Sequence, residues 1–287
     1  MLKQEIILPG VKNARELGGY QVGDRTIRKD VFLRTASLDQ ISEEALQLLQ
    51  QKYRVQTVVD FRMSDEQRLD PDPVIPGCEN LPLRVIEISE VLKDDPSDEA
   101  SALRKMFSDP NADKLQLYKT IIESGMIDDR VYAGFLLSED GIGAYRAFFQ
   151  AVLSLEEGRA ILWHCTNGKD RTGCAAMLLL YALGASEETV YDDYLLTNEY
   201  FAEELEGLRK RLEPWHLSPE KLDQFLFLAR GVSRKYLENA QNALIRQFGS
   251  VEGYLSDALG IGEEERKLLR ERFLVYYVEV NDEQEGN

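Results

Sequence analysis

The stretch from 160 to 183 constrains the fold of this chain more than any other part of the sequence. Four apolar residues at 160–163 precede ten that are polar, charged or small at 164–173, and a long apolar run then begins at Cys174. A short apolar run bounded in this way is typical of a buried strand, and the longer run is typical of a buried helix. The sequence therefore predicts a strand, a tight charged loop and a helix in direct succession.

A loop between a buried strand and a helix lies where α/β proteins commonly bind ligands. In open α/β sheets, ligands sit beyond the carboxyl ends of the strands. A helix N-terminus also binds anions, because its first N–H groups are unpaired and its dipole is positive there. The residues from Cys165 to Arg171 fall at this position, so we expect an anion site in this loop.

The rest of the chain indicates an α/β core followed by helices. Runs that favour strands lie at 26–28, 31–34, 55–61 and 81–83, and a helical pattern covers 141–153. Beyond residue 185 the pattern is almost wholly helical. We predict an α/β fold with a central, mostly parallel sheet that is flanked by helices and followed by a helical C-terminal part.

We expect one domain over 1–280, with its helical part at 186–280 and a solvated tail at 281–287. Ser42 is expected to cap a helix, and the four residues from Ser64 fit a capping box. The segment 89–135 is less regular, and it is either a lid insertion or an outer layer.

The composition excludes several classes of function. The net charge of −17 argues against a general nucleic-acid binder, which would carry a broad basic face. The longest apolar run, 174–183, is about half the ~20 residues that a membrane span needs. The N-terminal residues also lack the apolar core of a signal peptide. The expected location is therefore the cytoplasm, without membrane insertion.

The few histidines and cysteines limit metal and redox chemistry. With only two histidines, a histidine-rich metal site is nearly excluded, and we expect neither a metal nor a cofactor. The three cysteines match no disulfide framework and fit a reducing compartment. The sequence gives no indication of an oligomeric state.

The loop residues together suit nucleophilic attack on a tetrahedral anion. A cysteine at a helix N-terminus near cationic groups is readily ionised, and its thiolate is a nucleophile; Cys165 has this position. Arg171 follows six residues later, and its planar fork matches two oxygens of such an anion. Gly168 allows a backbone geometry that a Cβ would block, and the Thr172 hydroxyl could contact the sulfur.

Other assignments fit this loop less well. A P-loop NTPase would need a glycine in place of Trp163 and a serine or threonine in place of Asp170. A cysteine protease would need a separate histidine base, and His164 is the immediate neighbour of the thiol. Two alternatives stay open: a sulfurtransferase or arsenate reductase with a loop thiolate, and a phosphate-binding protein without turnover.

The residues 164–173 resemble the Cys-x5-Arg signature of cysteine-dependent phosphatases. They are most similar to the bacterial subgroup of atypical tyrosine, dual-specificity and phosphoinositide phosphatases, which carries His-Cys-x-x-Gly-Lys-Asp-Arg-Thr-Gly. All eight specified residues are present. Further segments resemble the same family: 13–20, 33–38, 59–62, 193–198 and 249–255.

The resemblance implies a two-step reaction without a metal. Cys165 would attack phosphorus to form a phosphocysteine, Arg171 would stabilise the equatorial oxygens, and water would then hydrolyse the intermediate. This subgroup implies Asp170 as the proton donor, although Asp170 could instead only shape the loop. The fallback acids are Asp60, Asp128 and Asp129.

The resemblance also implies a set of substrate-binding residues. They are Thr166, Asn167, Gly168, Lys169, Thr172, Asp60 and Arg62. Lys169 would face the phosphate or its neighbour, which makes a phosphoinositide a candidate substrate beside a phosphorylated protein. Arg15, Arg34 and Arg62 either give the site a local positive field or form ordinary salt bridges.

Overall fold

The computed structural model describes residues 4–87, 97, 100–101, 105, 109, 113–125 and 130–276. Most of the predicted lid segment before residue 113, together with Asp128 and Asp129, lies outside the described residues. The predicted tail at 281–287 lies outside them as well.

A five-stranded sheet forms the centre of the protein, in the order β1-β4-β7-β5-β6. Its strands are β1 (Arg15–Glu16), β4 (Phe32–Thr35), β7 (Ala160–His164), β5 (Val55–Asp60) and β6 (Glu79–Pro82). The pairs β4–β7, β7–β5 and β5–β6 are parallel, and only β1 runs antiparallel to its neighbour. The prediction of a mostly parallel central sheet is confirmed.

The register of the sheet brings the ends of three strands together. Thr35 at the end of β4 and Asp60 at the end of β5 both lie opposite His164, the last residue of β7. All five residues of β7 are buried, as expected for a central strand of a parallel sheet. The loop that follows His164 therefore starts at the middle of the carboxyl edge of the sheet.

Helices cover both faces of this sheet and form most of the C-terminal part. Before the loop they are α1 (Glu43–Gln47), α2 (Ser64–Leu69), α3 (Lys114–Ser124), α4 (Val131–Leu137) and α5 (Glu139–Leu153). After the loop they are α6 (Arg171–Leu183), α7 (Glu187–Tyr200), α8 (Ala202–Leu212), α9 (Pro219–Ala229), α10 (Arg234–Phe248), α11 (Val251–Asp257) and α12 (Glu263–Phe273). Ser42 caps α1, as predicted, by accepting a hydrogen bond from the Ala45 N–H.

Helix α6 lies in the core. Every residue of α6 except Tyr181 is buried, which explains why its sequence is apolar on all sides. The aromatic rings of Phe148 on α5 and Trp163 on β7 meet edge to face, with their centroids 5.3 Å apart. This packing fixes the ends of β7 and α6, and hence the loop between them.

A second, three-stranded sheet was not predicted. It has the order β2-β3-β8 and consists of β2 (Gln21–Val22), β3 (Arg25–Ile27) and β8 (Leu274–Tyr276). The chain after residue 185 is almost wholly helical within the described residues, as predicted, and β8 is the exception that the pattern did not indicate. Three residues that pair only with a distant strand give too short a pattern to be recognised locally. No described helix has the length and apolarity needed to cross a membrane.

Candidate active site

The loop between β7 and α6 has a backbone that only glycine permits at one position. Gly168 has φ of +65°, and a Cβ there would lie 2.2 Å from the carbonyl oxygen of Thr35. Asp170 is the N-cap residue of α6, and its carbonyl accepts the first helical bond, from the Cys174 N–H at 2.9 Å. The chain therefore passes closely over the end of β4 before it enters the helix.

Cys165 lies at the base of this loop and is 1% exposed. The carbonyl oxygen of Cys165 is 3.4 Å from Nδ1 of His164. The Thr172 hydroxyl is fully buried, and it has no hydrogen-bond partner within the described part of the chain. The predicted contact between this hydroxyl and the sulfur is thus not formed in this structure.

Arg171 is held by Glu66, a residue that the sequence analysis did not single out. Its two terminal nitrogens lie 2.7 and 3.2 Å from the two carboxylate oxygens of Glu66. Glu66 also accepts hydrogen bonds from the Met63 N–H at 2.8 Å and from the Thr166 hydroxyl. Burial would raise the pKa of Glu66, but the charge of Arg171 and the hydrogen bonds from Arg171, Thr166 and Met63 together outweigh it and lower this pKa to about 2.

The predicted capping box includes Glu66, but the observed box begins one residue earlier than predicted. Helix α2 begins at Ser64, so its N-cap is Met63 rather than Ser64, and the third helical position is Glu66 rather than Gln67. A glutamate at this position reaches back to the N-cap N–H. The carboxylate of Glu66 thus caps the N-terminus of α2 and also holds the guanidinium of Arg171.

Asp170 is bonded through one oxygen. Its Oδ1 accepts a hydrogen bond from the Tyr132 hydroxyl at 2.6 Å and lies 3.1 Å from the ammonium of Lys169. The side chain of Asp170 is 22% exposed. The carboxyl group of Asp170 is therefore accessible to solvent and also held in a fixed orientation.

Lys169 does not extend into open space. Its side chain is 1% exposed, and its ammonium donates to the carbonyl oxygens of Phe227 and Gly231 in addition to the contact with Asp170. Burial lowers the pKa of Lys169, and the neighbouring Asp170 opposes this shift. Each of the three ammonium protons has an acceptor. Lys169 therefore connects the loop to the last turn of α9, through Phe227, and to the residues just after it, through Gly231.

Arg15 and Arg34 support the loop from behind, and both are fully buried. Arg34 donates to the Gly168 carbonyl at 2.8 Å and pairs with Asp193, and Arg15 pairs with Asp193 at 3.0 Å. The Asn13 amide donates to the carbonyls of 167 and 168 at 3.0 and 3.1 Å. Arg15 and Arg34 therefore form salt bridges, which is one of the two roles predicted for them, but these pairs are buried behind the loop rather than on the surface.

The charges of this scaffold are strongly coupled. Burial would raise the pKa of Asp193, but Arg34 and Arg15 outweigh it and lower this pKa. Burial and the charge of Arg15 together lower the pKa of Arg34 to about 10. Asp193 is thus the counter-ion of two buried arginines, and the sequence analysis assigned it no role.

Asp60 and Arg62 form a separate buried cluster with Asp72 and His164. The Arg62 guanidinium contacts Asp60 at 2.9 Å and Asp72 at 2.8 Å, and it donates to the Asp70 carbonyl at 2.7 Å. His164 Nε2 lies 2.9 Å from Asp72 Oδ2. Asp60, Asp72 and His164 offer ligand atoms within 4.8 Å of one another, yet Arg62 already supplies a cation to both carboxylates.

The surface beside the loop carries basic and acidic side chains in equal number, although the net charge of the whole chain is −17. A cleft of about 610 Å³ adjoins Thr166 and Asn167. Its walls carry the cations Lys12, Lys114, Arg211 and Arg230 and the anions Asp39, Asp70, Asp113 and Glu204. Arg230 is placed at the loop itself, because its guanidinium donates to the Asn167 side chain at 2.7 Å.

The sequence profile of the tyrosine phosphatase family matches residues 6–275. The chain belongs to the tyrosine phosphatase family. The reaction of such an enzyme is the hydrolysis of phosphoric monoesters, so the prediction of a phosphatase of this family is confirmed.

Two relatives align over most of their length. A Cupriavidus necator protein that carries a tyrosine-protein phosphatase name is 28% identical over 263 residues, which is 90% of this chain and 85% of the relative. The triple specificity protein phosphatase PtpB of Mycobacterium tuberculosis is 27% identical over 267 residues, or 88% of this chain and 92% of PtpB. A crystal structure of P. aeruginosa TpbA with pTyr covers 82% of this chain and 96% of its own at 13% identity, with a TM-score of 0.28.

Proposed function

We propose that this family member hydrolyses phosphotyrosine in proteins through a phosphocysteine on Cys165. The observation that carries the assignment is the placement of Cys165 and Arg171 at the two ends of one loop, at the N-terminus of a buried helix. The N–H groups of such a loop and the helix dipole favour a bound dianion. The activity needs no metal in this scheme.

In the first step the sulfur of Cys165 bonds to phosphorus as the bond to the leaving oxygen breaks. The weakest contact of the Arg171 fork, 3.4 Å to the Thr166 hydroxyl, can be exchanged for a phosphate oxygen. Glu66 meanwhile keeps the guanidinium in place from the other side. Donors that are already oriented towards the developing charge lower the barrier without reorganisation.

We assign the proton donor for the leaving oxygen to Asp170. It is the carboxyl group of the loop that is both partly exposed and held by hydrogen bonds. Asp60 is less accessible to a leaving group, because its carboxylate is buried and both of its oxygens accept hydrogen bonds from Arg62. In the second step Asp170 takes a proton from water as the water oxygen bonds to phosphorus and the sulfur leaves.

The substrate-binding surface is assigned to the cleft beside Thr166 and Asn167. Its mixture of cations and anions suits a peptide chain around the phosphorylated residue, and Arg230 and Arg211 suit acidic neighbours. Gly168 and Thr172 shape the cradle, and Lys169 orients the loop through its three protein contacts. Arg62 acts by holding Asp60.

Assays on a panel of phosphopeptides and phosphoinositides measure the range of substrates. The relative PtpB is named for triple specificity, so phosphoserine, phosphothreonine and phosphoinositide substrates belong in the panel. We expect the highest kcat/KM for phosphotyrosine peptides with acidic neighbours. We also propose the cytoplasm as the location, because the described cysteines Cys78, Cys165 and Cys174 are free thiols.

Replacement of Cys165 by serine tests the proposal. We expect turnover of 4-nitrophenyl phosphate to fall by at least about 10³-fold, since a serine hydroxyl is a poor nucleophile here. Cys78→Ser is the matched control, because Cys78 lies outside the loop and burial raises its pKa to about 11; this variant should keep its activity. Acid quenching during turnover should trap phosphate on the wild type and on Cys78→Ser but not on Cys165→Ser, and undiminished turnover by Cys165→Ser would refute the proposal.

A further inference from the structure

We propose that Tyr132 is a positioning residue for the proton transfer and acts through Asp170. This inference rests on the proposed function, in which Asp170 protonates the leaving oxygen. Tyr132 lies on α4, thirty-eight positions from Asp170 in sequence, and no loop motif points to it.

The geometry gives Tyr132 a single direction of donation. Its hydroxyl accepts a hydrogen bond from the Tyr194 hydroxyl at 2.9 Å and donates to Asp170 Oδ1 at 2.6 Å. Both tyrosines are almost completely buried. Successive hydrogen bonds of this kind polarise one another in a low-dielectric interior, so the donor at Asp170 is stronger than an isolated hydroxyl.

Both tyrosines remain neutral donors at any working pH. Burial raises the pKa of Tyr132 well above its usual value, and the charge of Asp170 raises it further. Burial also raises the pKa of Tyr194 well above its usual value. The hydrogen bond to Asp170 is therefore not lost by ionisation of either phenol.

Both donors to Asp170 contact Oδ1, which leaves Oδ2 for the proton transfer. Tyr132 and Lys169 both contact Oδ1, so the acid proton is carried on Oδ2. When the O–H bond at Oδ2 breaks and the leaving oxygen takes the proton, the carboxylate that forms already has its donors. Because these donors favour the charged form, they assist the transfer most when the leaving group is a poor one.

Several titratable groups face Asp170 from the elements around it. They are Tyr118 on α3, Tyr132 on α4, Lys169 in the loop, Arg171 and Cys174 on α6, and Tyr194 on α7. Tyr132→Phe removes one donor from this set and keeps every charge. Its ring contacts with Phe135 and Phe227, at 5.7 and 5.9 Å, can also be kept.

The test compares Tyr132→Phe with the wild type on aryl phosphates of different leaving groups. We expect kcat/KM for phenyl phosphate to fall at least about 10-fold, and kcat/KM for 4-nitrophenyl phosphate to fall less than about 3-fold. The profile of kcat/KM against the pKa of the leaving group should therefore be steeper in Tyr132→Phe than in the wild type.

Tyr254→Phe is the matched control. Tyr254 is also buried, and its hydroxyl donates to the Leu136 carbonyl of the same helix α4 at 2.6 Å. This variant loosens α4 without touching the bond to Asp170, so its profile should keep the wild-type shape. An equal change of the profile in both variants would assign the effect to loosening of α4 and overturn the inference.

Asp170→Asn and the double variant Tyr132→Phe/Asp170→Asn separate the possible failures. If Tyr132 acts through Asp170, the double variant should show the same leaving-group dependence as Asp170→Asn alone, because Tyr132→Phe then has no further effect. A steep dependence in Asp170→Asn with an unchanged one in Tyr132→Phe would overturn the role of Tyr132 alone. An unchanged dependence in Asp170→Asn would overturn both assignments, and only a wild type without turnover would overturn the phosphatase activity.

Discussion

The ion pair between Glu66 and Arg171 couples stability to activity, and Glu66→Gln measures the coupling. A shift of the Glu66 pKa from 4.5 to about 2 corresponds to about 3 kcal/mol at ~1.4 kcal/mol per unit. The side chain is 23% exposed, so solvent screens part of this energy. We expect Glu66→Gln to lower the free energy of unfolding by about 2 kcal/mol at pH 7, within the range for charged hydrogen bonds.

The pH dependence gives this prediction its sign. The folded-state pKa of Glu66 lies below its unfolded value of 4.5, so the stabilisation is complete above pH 4.5 and disappears as the pH falls through about 2. The difference between the wild type and Glu66→Gln should therefore shrink progressively below pH 4.5. Urea unfolding followed by tryptophan fluorescence at pH 7, 5 and 3 measures it.

Activity should fall in the same variant, because Arg171 loses its bidentate partner while its charge remains. We expect a loss of kcat for 4-nitrophenyl phosphate of about 10-fold or more, with the protein still folded at pH 7. Glu263→Gln is the control, since this exposed carboxylate also pairs with two arginines, Arg266 and Arg270, and exposed pairs contribute little. A stability difference for Glu66→Gln that is independent of pH, or full activity, would refute the reasoning.

Two further substitutions test the loop and its support. Gly168→Ala should lower the free energy of unfolding by at least about 1–3 kcal/mol from the positive φ alone. It should also abolish most activity, because the new Cβ would lie 2.2 Å from the Thr35 carbonyl oxygen. Thermal unfolding measures the first effect and kcat the second, and unchanged values of both would contradict this geometry. Asp193→Asn should destabilise the protein by about 3–5 kcal/mol, since Arg15 and Arg34 would stay buried with one carboxylate removed. Urea unfolding measures the second effect, and a cost no greater than that of Asp192→Asn, next to it in sequence, would argue against the scaffold.

The sequence was sufficient wherever the signal was local. The strand, loop and helix at 160–183 follow from two apolar runs around a charged one, and the structure places β7 and α6 there. The resemblance of the loop to cysteine-dependent phosphatases predicted the family that the profile match confirms. The cap at Ser42 was also predictable, because a capping hydroxyl bonds within the next three residues.

The partners of the loop residues could not be predicted in the same way. Glu66 and Tyr132 reach the loop residues Arg171 and Asp170 from distant parts of the sequence. Asp193 supports the loop indirectly, by pairing with Arg34, which donates to the Gly168 carbonyl. No periodicity records which carboxylate an arginine will meet. Lys169 illustrates the limit: a lysine in a phosphate loop suggests a ligand contact, whereas its position is set by the carbonyls of Phe227 and Gly231.

The bonds from Asn13 and Arg34 to the loop carbonyls determine which way the peptide planes face. A peptide group is planar and trans, so its carbonyl and its following N–H point in opposite directions. By holding the carbonyls of 167 and 168 towards the N-terminal segment, these two side chains turn the next N–H groups towards the cradle. The segment 13–34 therefore sets the direction of these peptide groups, and a copy of 164–173 grafted without it would lack a fixed orientation of its N–H groups.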